Sequence, residues 1–195
     1  FTSLLRETNN ERNLSSSDGD NYIARVGTTI YASDDAILYK STDGGATWST
    51  QAIGISSGYQ IKGLTTHGTL LYIVANNGSA GEIIKWDGSS ATQVDTDKIF
   101  SGIWSAKGLM FVTWIESNIA YIQQYDGGSG TTFATNGVIY SLKDVSSTFT
   151  SKGETEITGE SITCLSENQG LIFYGTKESQ TGSKALGRLY TAQIT

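Results

Sequence analysis

The chain has 195 residues and a formal net charge of −6, with 23 glycines, no proline and one cysteine. That length supports one domain with a substantial core, or a small repeat array. The acidic balance without a basic stripe argues against a nucleic-acid partner, Cys164 alone rules out an internal disulfide, and no apolar run reaches the length that crosses a bilayer.

Phe1 stands where a methionine would open a nascent chain, and no signal-peptide pattern follows, as in a processed product or an excerpt of something longer. Phe1-Thr2-Ser3-Leu4-Leu5 precedes a polar stretch from Arg6 to Asp20. Inside it, Asp18-Gly19-Asp20-Asn21 sets oxygen ligands at alternating positions, as a calcium loop does, but lacks the downstream bidentate acid. No cofactor is expected. From Ile23 onward, short apolar runs alternate with Gly, Asn, Asp and Ser, and nowhere do apolar residues recur at helical spacing over three turns. An all-β protein follows.

The apolar runs repeat as a unit: a short strand, a turn with glycine, an apolar strand, a polar loop, another apolar strand, then an Asp-Gly turn. The first copy runs from Ile23 to Gly45, the second from Ile61 to Gly88 and the third from Gly102 to Gly127; a last one begins at Ile162. Gly27, Gly68 and Gly108 follow one another at 41 and 40 positions, and Asp43, Asp87 and Asp126 at 44 and 39. A period near forty with four short strands per unit is that of a propeller blade.

The most specific stretch closes the first unit. Residues 37 to 48 read as a strand and a tight turn with Ser41, Asp43, Gly45, Thr47 and Trp48 in the pattern Ser-x-Asp-x-Gly-x-Thr-Trp. A carboxylate at Asp43 can accept backbone N–H groups just ahead of it, the two glycines tolerate positive φ, and Thr47 and Trp48 suit the start of a strand. The pattern closely resembles the Asp-box, or BNR repeat, of sialidase-like β-propellers, and this version also resembles blades of xyloglucanase-type glycosidases and sortilin-type receptors. The resemblance implies a β-propeller, and the repeat units make it a small or partial one of about four to five four-stranded antiparallel blades, filling residues 1 to 195 as one domain. It also implies that Asp43 is structural. Lys85-Trp86-Asp87-Gly88 and Gln124-Tyr125-Asp126-Gly127 look like eroded relatives of the same turn.

Residues 136 to 160 fit the unit poorly. Gly137 to Leu142 reads as an inner strand and Ser147 to Thr150 as another, making this an irregular blade or an insertion. The final unit stops after its third strand, so Phe1 to Leu5 is expected to supply an outer strand that closes the ring.

In a propeller, the loops between second and third strands share a face with the connections between blades. These loops are read as Ser33 to Asp35, Asn76 to Glu82, Trp114 to Asn118 and Lys177 to Lys184. They put Asp34, Asp35, Asn77, Trp114, Glu116, Asn118, Lys177 and Glu178 forward as ligand-binding residues. An aromatic beside a carboxylate and an amide, as at Trp114-Glu116-Asn118, suits a sugar; polar residues are also what solvated loop tips carry. Trp104 lies on an inner strand and reads as core, Cys164 as a small core residue, and His67 as a turn residue with no catalytic partner.

The sialidase family uses an arginine triad, a tyrosine–glutamate pair, an acid/base aspartate and an Arg-Ile-Pro motif. This chain has four arginines, Arg6, Arg12, Arg25 and Arg188, and no proline, so a converging triad would need nearly all of them. A non-enzymatic module binding a glycan or protein surface is expected, with a glycoside-hydrolase-like propeller as the alternative and a structural part of a larger assembly as a third reading. The Ser/Thr/Gly-rich, acidic, cysteine-poor composition resembles that of phage-tail and bacterial surface proteins, which places it at a cell or virion surface.

Overall fold

The computed structural model describes residues 21–96, 98–106, 108–116, 119–125, 137–141, 149–150, 160–168, 171–178 and 187–193. They form sixteen strands in four antiparallel sheets. The first sheet holds β1 (Ile23–Val26), β2 (Thr29–Asp34), β3 (Ile37–Ser41) and β4 (Ser49–Gln51). The second holds β5 (Gln60–His67), β6 (Leu70–Asn76), β7 (Gly81–Trp86) and β8 (Ala91–Asp95). The third holds β9 (Phe100–Ala106), β10 (Leu109–Glu116), β11 (Ile119–Tyr125) and β12 (Gly137–Ser141). The fourth contains β13 (Phe149–Thr150), β14 (Glu160–Asn168), β15 (Leu171–Glu178) and β16 (Gly187–Gln193).

Three sheets follow chain order from first strand to last. The fourth runs β14-β15-β16-β13, so its outermost strand comes from residues that precede its innermost one. β1 lies beside β5, β5 beside β9, and β9 beside β14, which sets the first strands of successive sheets side by side. The glycines of the forty-residue period sit in the turns after these strands, with φ of 59°, 60° and 75° at Gly27, Gly68 and Gly108, where other residues would be strained.

Why the middle of the chain reads as continuously apolar is clear from β6. Successive side chains of a strand point to opposite faces. Leu71 and Ile73 pack with Tyr31, Leu38, Ile61, Ile84 and Trp86 against the first sheet. Tyr72 and Val74 pack with Ile83, Phe100, Ile103, Met110 and Val112 against the third. A sheet covered on both faces has no polar side to alternate with. The Trp86 indole N–H, 3.3 Å from the Tyr31 hydroxyl, adds a buried hydrogen bond between the first two sheets.

Three of the four inner strands share a feature that the period does not reveal. Register shifts fall between Ile61 and Gly63 in β5, opposite Thr113/Trp114 at Ser101 in β9, and between Ile162 and Cys164 in β14. Each is a bulge near the strand's start, where one extra residue bends the strand and turns the following side chains over. Past the bulge at Gly63, a Cβ would sit 2.9 Å from the Ile103 backbone nitrogen, so glycine is what lets β5 and β9 approach.

Several expectations change. Gly137 to Ser141 is the outer strand of the third sheet rather than an inner one, and Phe149–Thr150 is the outer strand of the fourth. The segment from 136 to 160 therefore serves two sheets and adds none. Phe1 to Leu5 lies outside the described residues, and β13 holds the place beside Thr191 and Ala192 that this segment was expected to take. Cys164 is exposed rather than core, because the bulge before it reverses the alternation. Trp104 is half-buried on β9 and its ring covers Gly102. His67 is half-buried at the end of β5, before the turn. No helix among the described residues is long and apolar enough to cross a membrane.

Candidate functional site

Strand alternation divides the turns between two ends. The first-to-second and third-to-fourth strand turns lie at one end, and the second-to-third loops lie with the connections between sheets at the other.

At the first end, the turn between β3 and β4 is held by side chains. The Ser41 hydroxyl donates to Asp43 Oδ1 at 2.8 Å and accepts from the Gly45 N–H at 2.8 Å. Thr47 donates its N–H to Asp43 Oδ1 at 2.9 Å and its hydroxyl to Oδ2 at 2.5 Å. The Trp48 indole N–H donates to the Gly45 carbonyl at 3.1 Å. The Thr47 hydroxyl first, then the Thr47 N–H and the Ser41 hydroxyl, hold the Asp43 carboxyl down to about 2, since hydrogen bonds to the charged form favour it. In the turn between β7 and β8, Asp87 does the same work with Ser89 and Ser90, and its carboxyl is driven well below the usual range by their backbone N–H groups and hydroxyls.

At the second end, polar side chains tie one sheet to the next. Glu82, 1% exposed on β7, accepts the Ser56 N–H and the Ser56 hydroxyl at 2.8 Å each, and the Gln93 amide at 2.6 Å. This fastens the connection from the first sheet to the second. The Asn76 amide donates to the Phe100 carbonyl at 2.5 Å, fastening the second to the third. Beside it, a Cβ on Gly81 would meet the backbone of Lys98, Ile99 and Phe100. The Asp35 carbonyl accepts the Ile61 N–H at 2.8 Å.

The proposed ligand residues fall as follows. Asp34 ends β2 and is half-buried; Asp35 makes the tight turn after it with φ 51°, a left-handed conformation that aspartate tolerates. Asn77 is exposed, and its Oδ1 accepts the Ser79 and Ala80 N–H groups at 2.9 and 2.8 Å. Glu116 ends β10 and pairs with Lys98 at 3.0 Å; that hydrogen bond and the lysine's charge lower its pKa. Lys177 and Glu178 are the last residues of β15 rather than a loop, paired with Gly187 and with Glu160. Asn118 lies outside the described residues, as do Asp18 to Asp20 of the calcium-loop pattern. Among the described residues no group of three His, Cys, Asp or Glu is placed to hold a metal.

Trp114 is the principal correction. It is not a loop aromatic: it is 2% exposed within β10, stacked on Tyr121 at 5.3 Å between centroids and edge-on to Phe100 at 6.4 Å. β10 runs two residues past it to Glu116, so the residue read as a loop start is core. The Asn77 loop and Glu116 nonetheless meet a common element, the 98–100 connection, through Asn76 and Lys98. Asp35 lies beside the start of β5, whose Gln60 pairs with Asn76.

Glu82, Asn76, Ser56, Gln93 and Lys98 were not singled out from the sequence. A glutamate inside the apolar run Gly81-Glu82-Ile83-Ile84 was the available signal, since buried charges occur only with partners.

No protein-family model matches the chain, and no curated protein does. Among solved structures, GH43B of a Bacteroides ovatus xyloglucan PUL superposes with a TM-score of 0.54 at 16% identity, covering 90% of this chain and 38% of that one. YCF48 bound to D1 peptide superposes with a TM-score of 0.49 at 16% identity, covering 86% of this chain and 67% of that one. The chain thus spans well under half the length of the GH43B chain. Four successive antiparallel sheets with neighbouring inner strands, together with the GH43B superposition, identify the fold as a small or partial β-propeller.

Proposed function

We propose that this propeller is a non-enzymatic module that holds a glycan or protein partner at the loop end of its blades, at a cell or virion surface. In this reading the Ser41-to-Trp48 turn is an Asp-box, a device that locks a blade's outer hairpin and takes no part in binding. The observation that carries the proposal is the use of Glu82. Among the described residues the most buried carboxylate at the loop end accepts three hydrogen bonds from its own chain, so it is committed to building a rigid face. Glu116, the exposed carboxylate there, is kept ionised by Lys98, whereas a general acid needs a raised pKa.

A glycoside-hydrolase-like propeller, or a piece of one, is the second reading, and its support is the shared fold with GH43B. A glycan array and a polysaccharide hydrolysis assay separate the two. Binding without turnover, weakened by Glu116→Ala or Asn77→Ala, is the expected result. Turnover of a polysaccharide that is abolished by Glu116→Gln would replace the proposal with the hydrolase.

A further inference from the structure

The two turns that flank β7 are built alike. In Asn77-Gly78-Ser79-Ala80 the first residue's N–H donates to the fourth residue's carbonyl at 3.1 Å; in Asp87-Gly88-Ser89-Ser90 the same bond is 3.2 Å. Asn77 Oδ1 accepts the N–H groups of Ser79 and Ala80 at 2.9 and 2.8 Å. Asp87 Oδ1 accepts those of Ser89 and Ser90 at 2.8 and 2.7 Å. The second residue is a left-handed glycine in both, with φ 82° and 99°. One turn carries a carboxamide where the other carries a carboxylate.

We infer that Asn77 is a site of spontaneous deamidation, in a turn already shaped to hold the aspartate product. Glycine after asparagine leaves the attacking backbone nitrogen unhindered, because no Cβ stands beside it. The Gly78 amide loses its proton to hydroxide, and its nitrogen bonds to Asn77 Cγ. The Cγ–Nδ2 bond breaks and ammonia leaves, giving a five-membered succinimide. Water then opens the ring: cleavage of the Cγ–N bond yields aspartate, and cleavage at the main-chain carbonyl yields isoaspartate. No electrons are exchanged, and water is the only co-reactant.

The loop also contains its own brake. The Gly78 N–H donates to Asn76 Oδ1 at 3.1 Å, and the Asn77 carboxamide oxygen is held by the Ser79 and Ala80 N–H groups. Reaction therefore proceeds through a local opening of this exposed loop. An aspartate product can return to the same two N–H groups, as Asp87 does at the other end of the strand. An isoaspartate product cannot, because its extra main-chain methylene lengthens a four-residue turn.

The test is peptide mass spectrometry of the whole chain after incubation in mildly alkaline buffer, folded and in urea, beside Asn76→Ala and Asn77→Asp variants. The expected result is conversion at Asn77 in the folded protein, several-fold faster in Asn76→Ala, and an Asn77→Asp variant with an unchanged melting temperature. Each event adds one negative charge to a chain already at −6, which ion exchange resolves. An Asn77 that stays intact in the folded protein while the urea sample converts would overturn the site. An Asn77→Asp variant that melts well below the wild type would overturn the claim about the turn. If Asn76→Ala does not fold, those two measurements decide.

Discussion

The Glu82 carboxylate accepts both the backbone N–H and the hydroxyl of Ser56, 26 positions away, in a two-pronged contact of 2.8 Å per prong. This contact, with the Gln93 amide, converts a connecting segment into a fixed part of the second blade. Glu82→Ala leaves the half-buried Ser56 and the exposed Gln93 without the buried acceptor that holds them. The expected loss is about 2–3 kcal/mol, as for a removed charged acceptor, read from the urea midpoint. Glu82→Gln keeps an acceptor and should lose roughly half of that.

Trp114 packs in the core against Phe100 and Tyr121. Trp114→Ala is expected to destabilise by about 3–5 kcal/mol, the range for a buried aromatic cut to alanine, while Trp114→Phe loses less. A Trp114→Ala protein that melts like the wild type but fails to bind glycan would return this residue to the surface.

Gly81 faces the backbone of the next blade's connection, 2.8 Å from the Phe100 nitrogen and 3.2 Å from the Ile99 Cα at the position a Cβ would take. Backbone cannot swing aside as a long side chain can. Gly81→Ala should therefore destabilise by about 1–3 kcal/mol through overpacking, seen as a lowered melting temperature.

The Asp43 turn gives a pH signature. The folded carboxyl titrates at about 2, against an ordinary 3.8, so the unfolded chain binds this proton more readily. The stabilisation is fully present above 3.8 and is lost as pH falls toward about 2. The stability gap between wild type and Asp43→Asn should shrink over that window in urea melts taken at successive pH values. A gap that stays constant down to the bottom of the window would contradict the assignment.

What the residues disclosed in advance was mostly local. The turn at Ser41 to Trp48 and the spaced glycines depend on neighbours a few positions apart, and both marked strand ends that the structure contains. The errors came from long-range pairing. Nothing near Phe149 and Thr150 says that they join β16, some forty positions ahead, and nothing near Gly137 marks an outer strand over an inner one. Cys164 was misplaced because a bulge inverts an alternation that otherwise reads true. Trp114 was misplaced because β10 continues two residues beyond it, through Ile115 to Glu116. At the loop end, the apolar run around Glu82 signalled a buried charge but not its Ser56 partner, which lies 26 positions away in the connection from the first sheet.

The side-by-side placement of inner strands is tested most directly by a nuclear Overhauser measurement between Gly63 Hα and the Ile103 amide proton. A strong cross-peak is expected, since a Cβ on Gly63 would stand 2.9 Å from the Ile103 nitrogen. Its absence in a folded, assigned protein would separate β5 from β9 and leave no common axis for the four sheets.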